Sequence, residues 1–188
     1  MTERHEIRLC GFGGQGVVLA GYITGQAAAI YDNKYVSFIQ DYGPAARGGV
    51  CRADVVVSDE RVLYPYISAP TVFVALFQES FDKYYPENRE DALVIIDSDL
   101  VKPNNTQGKQ LLGVPVTRMA EELGRVAVAN IVMLGFLAAV TDIISVEAMR
   151  KSILDSVPKG TEELNTKAFE KGYAYGRETI GSGQAKKD

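Results

Sequence analysis

Residues 8–18 read Arg-Leu-Cys-Gly-Phe-Gly-Gly-Gln-Gly-Val-Val, and this stretch indicates the architecture of the chain. A short apolar strand, residues 7–10, runs directly into a glycine-rich turn, and an alanine-rich helical stretch follows. Glycine lets a backbone bend tightly and approach a ligand closely, while the first N–H groups of the helix point outward at the positive end of its dipole. We therefore predict an anion-binding loop formed by Gly11, Gly13, Gly14, Gln15 and Gly16.

Size and composition restrict the classes of protein that the chain can belong to. Its 188 residues, 46% of them hydrophobic, suffice for one globular domain, and a net charge of −4 disfavours a nucleic-acid partner. Two cysteines are too few for a disulfide scaffold or for an iron–sulfur cluster held by this chain alone, which takes about four thiolates. The charged first six residues do not resemble a signal peptide, and the apolar residues 126–140 are too few to span a bilayer. We expect a cytoplasmic protein that does not enter the membrane.

Strands and helices alternate along most of the chain. We predict strands at residues 7–10, 35–40, 53–58, 62–64, 72–77, 93–96 and 114–117, and helices at residues 17–31, 79–85, 119–123, 126–140, 146–157 and 162–179. This alternation favours the α/β class: a single Rossmann-like domain with a mostly parallel sheet flanked by helices and a helical C-terminal part. The domain is expected to span residues 1–180, and residues 181–188 are expected to form a disordered tail.

The glycine spacing leaves several interpretations open. Gly11, Gly13 and Gly16 fit the dinucleotide pattern G-x-G-x-x-G, which would make the chain a free-standing reductase. A dinucleotide site also needs an acidic residue at the end of the second strand, whereas here that strand ends at Gln40 and Asp41 falls just beyond. Another phosphate-bearing ligand, a docking surface, or glycines that serve only helix–strand packing are the alternatives.

A second glycine-rich segment covers residues 41–52. In a doubly wound sheet it would leave the same edge as the first loop, where ligands of such folds bind. Arg47 offers a planar fork of donors suited to phosphate. The alternative is that Arg47 or Arg52 pairs with Asp41 or Asp54 and only braces the loop. The candidate binding residues of this segment are Tyr42, Gly43, Pro44, Arg47, Gly48 and Gly49.

Other chemically interesting residues have ordinary structural explanations. Asp97 and Asp99 follow a strand and fit the cap of a turn better than a cation site. Cys51 lies beside Arg52, which would lower a thiol pKa, but a half-buried and inert thiol is the simpler expectation. Asn130 interrupts an apolar helix and is expected to cap a loop or to reach a subunit interface. We assign neither catalytic residues nor metal ligands to this chain.

Tyrosines form two short clusters, in residues 64–66 and 84–86, that fit either the edge of a core or a contact surface. Because tyrosine is enriched in interfaces, the contact surface is favoured.

With these loops in view, the chain resembles the gamma subunit of the 2-oxoacid:ferredoxin oxidoreductases, most of all that of the 2-oxoglutarate enzymes. The pair of glycine-rich loops, in this order and at this separation, carries the resemblance. The matching stretches are Glu6-Ile7-Arg8-Leu9, Gly11-Phe12-Gly13-Gly14-Gln15-Gly16, Tyr42-Gly43-Pro44-Ala45-Ala46-Arg47-Gly48-Gly49, Ser58-Asp59-Glu60, Tyr64-Pro65, Asp97-Ser98-Asp99-Leu100 and Val128-Ala129-Asn130.

The resemblance implies a place in the oxidative decarboxylation of a 2-oxo acid to its coenzyme A thioester, with electrons passed to ferredoxin. It implies that thiamine diphosphate and the iron–sulfur clusters belong to partner subunits of alpha, beta and delta type, and that coenzyme A approaches at or near this chain. We expect the isolated chain to be inactive and able to form a homodimer through surfaces meant for its partners. The resemblance leaves the 2-oxo acid open, since pyruvate and branched-chain enzymes carry similar gamma subunits.

Overall fold

The structure, a computed structural model, describes residues 4–42, 48–104 and 109–182. Six strands form one sheet: β1 (Arg4–Phe12), β2 (Tyr35–Asp41), β3 (Val50–Ser58), β4 (Val72–Ala75), β5 (Leu93–Asp97) and β6 (Gln110–Val114). The helices are α1 (Val17–Gln26), α2 (Gln78–Tyr84), α3 (Val116–Glu122), α4 (Ala129–Val140), α5 (Val146–Ser156) and α6 (Glu162–Gly181). The prediction of an α/β domain with a mostly parallel sheet and a helical C-terminal part is confirmed.

The strand order is β2-β3-β1-β4-β5-β6. Strands β1, β4, β5 and β6 are parallel, whereas β3 runs antiparallel to both β1 and β2. Strand β2 therefore points in the same direction as β1 but lies two positions away from it. As a consequence, β1 and β2 end at the same edge of the sheet, which is the edge that carries both glycine-rich loops.

Helices cover the two faces of the sheet unequally. The larger core lies between one face and helices α1, α3, α4, α5 and α6, while a smaller core lies under α2 on the other face. Helix α4 is buried from Asn130 to Ala139, which explains why its sequence is apolar on all sides. Helix α6 packs closely on it, since a Cβ at Gly172 would lie 1.9 Å from the carbonyl oxygen of Val132. No helix among the described residues is long and apolar enough to cross a bilayer.

Several predicted elements differ from the structure. Residues 62–64 form no strand but part of an irregular connection, which Pro65 helps to keep out of the sheet. The strand predicted at residues 114–117 was placed too late: β6 ends at Val114, and α3 begins at Val116 directly after Pro115. The first helix ends at Gln26 and continues as the π-helical turn Ala27–Tyr31. Residues 183–188, most of the predicted tail, lie outside the described residues.

Candidate functional site

The first glycine-rich loop connects β1 to α1 at the sheet edge where the parallel strands end. Its turn is closed by the N–H of Gln15, which donates to the carbonyl of Phe12 at 3.1 Å. Gly13 and Gly14 are exposed, and Gly14 and Gly16 have φ angles of 106° and 73°. These are left-handed conformations that favour glycine, so the glycines here are required by the backbone path itself.

The side chain of Gln15 braces this loop from inside. Its Oε1 accepts a hydrogen bond from the N–H of Phe12 at 2.7 Å, and its Nε2 donates to the carbonyl of Leu76 at 3.0 Å. The missing side chain of Gly11 makes room for it, since a Cβ there would lie 2.7 Å from Oε1 of Gln15. The Gln15 side chain thus ties the loop to the end of β4.

Asn130, the polar residue inside the apolar stretch, holds the other end of the loop. It is 2% exposed, and its Nδ2 donates to the carbonyl of Gly16 at 3.2 Å. Its Oδ1 accepts from the N–H of Ile131 at 2.9 Å. The expectation that Asn130 caps a loop agrees with this geometry.

Helix α1 begins with N–H groups that its own sequence does not cap. The first bond of the helical ladder runs from the N–H of Ala20 to the carbonyl of Gly16 at 2.9 Å, so residues 17–19 precede it. Gly16 supplies no capping side chain, and the first turn holds no acidic residue. Such a helix start is electropositive and suited to an external anion.

The part of the second glycine-rich segment that the structure describes before β3, Gly48 and Gly49, lies directly against the first loop. Register pairs of Phe12 with Val50 and of Asp41 with Arg52 place the two ends of the segment at the same sheet edge. The N–H of Gly13 donates to the carbonyl of Gly49 at 2.9 Å, so this amide holds the two loops together.

Three of the six candidate binding residues of the second segment are among the described residues. Gly48 and Gly49 have φ angles of 76° and 117°. Tyr42 is 55% exposed at the end of β2. Gly43, Pro44 and Arg47 lie outside the described residues.

A charged cluster links β1 to β3. Arg8 is buried and forms a bidentate pair with Asp54 at 2.8 and 2.9 Å, and it also contacts Glu87. Burial alone would lower the pKa of Arg8, but the hydrogen bonds and charges of these two carboxylates raise it above its usual value. Arg52 lies 3.7 Å from Asp41 and 3.9 Å from Asp54, which is the bracing role considered for it.

The two cysteines are structural. Cys10 and Cys51 are buried, free thiols on opposite faces of the sheet, in different cores. Burial raises the pKa of Cys10 to about 12 and raises that of Cys51 as well. A lowered pKa at Cys51 was the less favoured of the two expectations, and the pKa is raised instead.

Asp97 closes a turn at the end of β5. It accepts from the N–H of Asp99 at 3.0 Å and from Oγ1 of Thr117 at 2.5 Å, as expected of a capping carboxylate. Burial raises its pKa.

Sequence reasoning missed the contacts that hold the glycine-rich loop in place. The ties from Gln15 to Leu76 and from Asn130 to Gly16 join residues 61 and 114 positions apart. The one available signal was the polar residue in an apolar helix, which has to be satisfied by a partner.

Comparison with known proteins places this geometry in a family. Residues 6–175 match the family model described as pyruvate ferredoxin/flavodoxin oxidoreductase. The chain is 50% identical over 178 residues to the 2-oxoglutarate synthase subunit KorC of Methanocaldococcus jannaschii, covering 93% of this chain and 95% of that relative.

Two solved structures have the same fold. The gamma subunit of a keto/oxoacid ferredoxin oxidoreductase from Geobacter sulfurreducens PCA superposes with a TM-score of 0.84 at 40% identity, covering 92% of this chain and 95% of that one. The 2-oxoglutarate:ferredoxin oxidoreductase from Magnetococcus marinus, solved with 2-oxoglutarate, coenzyme A and succinyl-CoA bound, superposes with a TM-score of 0.85 at 21% identity. That match covers 95% of this chain but 32% of the longer Magnetococcus chain.

The relatives are named as subunits, so this chain is part of a multi-subunit enzyme. It belongs to the pyruvate ferredoxin/flavodoxin oxidoreductase family, as a gamma-type subunit of a 2-oxoacid:ferredoxin oxidoreductase.

Proposed function

We propose that this chain is the non-catalytic subunit that receives the phosphates of coenzyme A in an enzyme converting 2-oxoglutarate and coenzyme A to the acyl-coenzyme A thioester. The observation that carries the proposal is the uncapped start of α1 beside two exposed glycines. Phosphate groups bind where helix N–H groups and a glycine-rich backbone converge. The Magnetococcus enzyme, of whose chain 32% matches this fold, was solved with coenzyme A bound, which supports this choice of anion.

The binding residues that we propose divide into two groups. Gly14, Gly16 and residues 17–19 would present N–H groups to the ligand. Gly11, Gly13 and Gln15 shape the loop, since the Gly13 amide and the Gln15 side chain already have partners within the protein. Tyr42, Gly43, Pro44, Arg47, Gly48 and Gly49 would line the other side of the same site.

The reacting groups are proposed to lie on partner subunits of alpha, beta and delta type, which would carry thiamine diphosphate and the iron–sulfur clusters and pass electrons to ferredoxin. The donor set of this chain supports that division. Its only cysteines, Cys10 and Cys51, lie on opposite faces of the sheet, and a cluster needs about four thiolates. Free thiols also support a cytoplasmic location.

The strand order speaks against the alternative, a free-standing dinucleotide-binding reductase. In dinucleotide-binding folds the strand beside β1 is parallel to it and ends in the acidic residue that holds the ribose. Here the neighbour is the antiparallel β3, and the end of β2 at Asp41 lies one strand further out, an extra displacement of about 4.8 Å. Asp41 is moreover close to Arg52, at 3.7 Å.

Steady-state kinetics of the assembled enzyme with Gly13→Val test the proposal. A Cβ at this exposed glycine would lie 3.3 Å from the backbone nitrogen of Gly48, so a branched side chain would fill the gap between the loops. We expect the KM for coenzyme A to rise at least tenfold while the KM for 2-oxoglutarate stays within about twofold. Gly181→Val is the matched control, because its Cβ would meet nothing within 4 Å. An assembled Gly13→Val enzyme with an unchanged KM for coenzyme A would remove this loop from the proposal.

A further inference from the structure

Asn130 is a buried polar side chain that serves a helix other than its own. It belongs to the first turn of α4 and is 2% exposed. Its Nδ2 donates to the carbonyl of Gly16, the residue that precedes α1 and lies 114 positions away in the sequence. Burying an amide costs free energy that its hydrogen bonds have to offset, whereas an apolar side chain would fill the same interior without that cost. The presence of an amide here is therefore explained by what it holds.

Hydrogen bonds at both ends of this amide fix its orientation. Oδ1 accepts from the N–H of Ile131 at 2.9 Å, so Nδ2 is the group that faces α1. The carbonyl of Gly16 accepts from Nδ2 at 3.2 Å and from the N–H of Ala20 at 2.9 Å. Because a peptide group is planar, a carbonyl held by two donors also fixes the N–H of residue 17, which points to the opposite side. Asn130 thereby sets the direction of the first N–H groups of α1.

This arrangement replaces the usual way in which a helix start is held. An ordinary N-cap side chain accepts a hydrogen bond from an N–H of the first helical turn, and that N–H is then no longer available to a ligand. Gly16 has no side chain, adopts a left-handed conformation with φ 73° and ψ 23°, and is held through its carbonyl instead. The start of α1 is thus fixed in place by a contact that uses none of its N–H groups.

The same contact brings the positive ends of two helices together. Asn130 lies in the first turn of α4 and touches the residue that precedes α1, and neither helix has an acidic residue in its first turn. Each helix start carries the equivalent of about half a positive charge. The field of α4 therefore adds to that of α1 at Gly16, which favours a strongly charged anion such as a phosphate.

We propose that Asn130 is a positioning residue for the phosphates of coenzyme A, on which it acts through Gly16. This inference rests on the proposed function. By holding the carbonyl of Gly16, Asn130 keeps the first N–H groups of α1 in the direction in which they bind a phosphate before the ligand arrives. Donors that are already ordered bind more tightly, because no free energy is used to order them on binding. Loss of Asn130 should therefore weaken the binding of coenzyme A and leave the chemical step, which is proposed to take place on partner subunits, unchanged.

Steady-state kinetics of the assembled enzyme with Asn130→Ala test this role. The matched control is Asn165→Ala: Asn165 is also buried, at 6% exposed, and its Nδ2 also donates to a backbone carbonyl, that of Thr161 at 2.9 Å, but it holds the start of α6. We expect Asn130→Ala to raise the KM for coenzyme A about tenfold, while kcat and the KM for 2-oxoglutarate stay within about twofold. Asn165→Ala should also lower the melting temperature but leave all three constants within about twofold.

If Asn130→Ala does not assemble, Asn130→Ser takes its place, because its hydroxyl is shorter than the amide but still accepts from the N–H of Ile131; it should raise the KM for coenzyme A about threefold. An unchanged KM for coenzyme A, a fall in kcat alone, or an equal rise of this KM in Asn165→Ala would overturn the positioning role. If Gly13→Val also leaves this KM unchanged, the proposed function itself fails. If Gly13→Val raises it and the Asn130 variant does not, only the positioning role fails.

Discussion

Replacing Asn130 with alanine tests whether this one buried amide holds the glycine-rich loop against the helical core. The side chain is 2% exposed and makes two hydrogen bonds, to the carbonyl of Gly16 at 3.2 Å and from the N–H of Ile131 at 2.9 Å. Each hydrogen bond contributes about 1 kcal/mol. The loss of the side chain's packing, together with the N–H of Ile131 left without a partner in the interior, adds about another 1 kcal/mol. We expect Asn130→Ala to lower the free energy of unfolding by about 3 kcal/mol, which for a chain of this size lowers Tm by roughly 6–12 °C.

A double-mutant cycle with Gly16→Ala makes the test specific. A Cβ at Gly16 would lie 2.4 Å from Nδ2 of Asn130, and the φ angle of 73° adds about 1–2 kcal/mol of backbone strain. In the Asn130→Ala background the collision disappears and only the strain remains. Gly14→Ala is the control, because its φ angle of 106° is strained but its Cβ would meet nothing within 4 Å.

Urea unfolding at pH 7 of six proteins, namely the wild type, the three single variants and the two double variants with Asn130→Ala, measures the coupling. We expect Gly16→Ala to cost at least about 1 kcal/mol less when Asn130 is absent, and Gly14→Ala to cost the same in both backgrounds. Additivity of Gly16→Ala and Asn130→Ala within about 0.5 kcal/mol would refute the reasoning, because it would mean that Asn130 does not press against the loop.

Three further predictions concern other parts of the chain. Gly172→Ala should destabilise the protein by about 3 kcal/mol in urea unfolding, because the added Cβ collides with a backbone carbonyl of α4. Gly181→Ala, whose Cβ meets nothing within 4 Å, should be neutral or slightly stabilising. Equal effects of the two substitutions would contradict the close packing of α4 and α6. Burial raises the pKa of Asp97, so the stabilisation that comes from its protonated form is fully present below the unfolded pKa of about 3.9 and is lost as the pH rises through the folded pKa. Asp97→Asn should therefore remove this part of the fall in the free energy of unfolding between pH 3 and 7. Neither Cys10 nor Cys51 should react with iodoacetamide at pH 8 until the protein unfolds, and rapid labelling of the native protein, followed by mass spectrometry, would contradict their burial.

Local sequence patterns predicted much of the fold because they report on individual elements. Periodicity located both long C-terminal helices, α5 and α6, to within two residues at either end. The run of glycines between a strand and a helix located the loop at the start of α1. The strand order could not be read in this way, since nothing local to β3 states that it is inserted antiparallel between β1 and β2.

The errors also have local physical causes. Residues 62–64 contain valine, leucine and tyrosine, which favour strands, but Leu63 is 85% exposed and lies outside the sheet. Pro115 ended β6 sooner than the apolar residues around it suggested.

At the candidate site, the sequence indicated which residues form the loop but not which of them face a ligand and which hold the loop in place. Gln15 was predicted to bind a ligand, whereas its side chain is engaged with Phe12 and Leu76 within the protein. Arg8 was predicted only as part of the first strand, and its interior pairing with Asp54, 46 positions away, was not foreseen. Contacts of this kind depend on the register between strands, which a single sequence does not display.

A cryo-electron microscopy structure of the assembled enzyme with coenzyme A bound tests the central claim most directly. The account predicts a phosphate oxygen of coenzyme A within about 3 Å of the backbone nitrogen of Gly14, of Gly16 or of one of residues 17–19. It would be contradicted if the phosphates of coenzyme A contact only other subunits while the start of α1 faces protein or solvent.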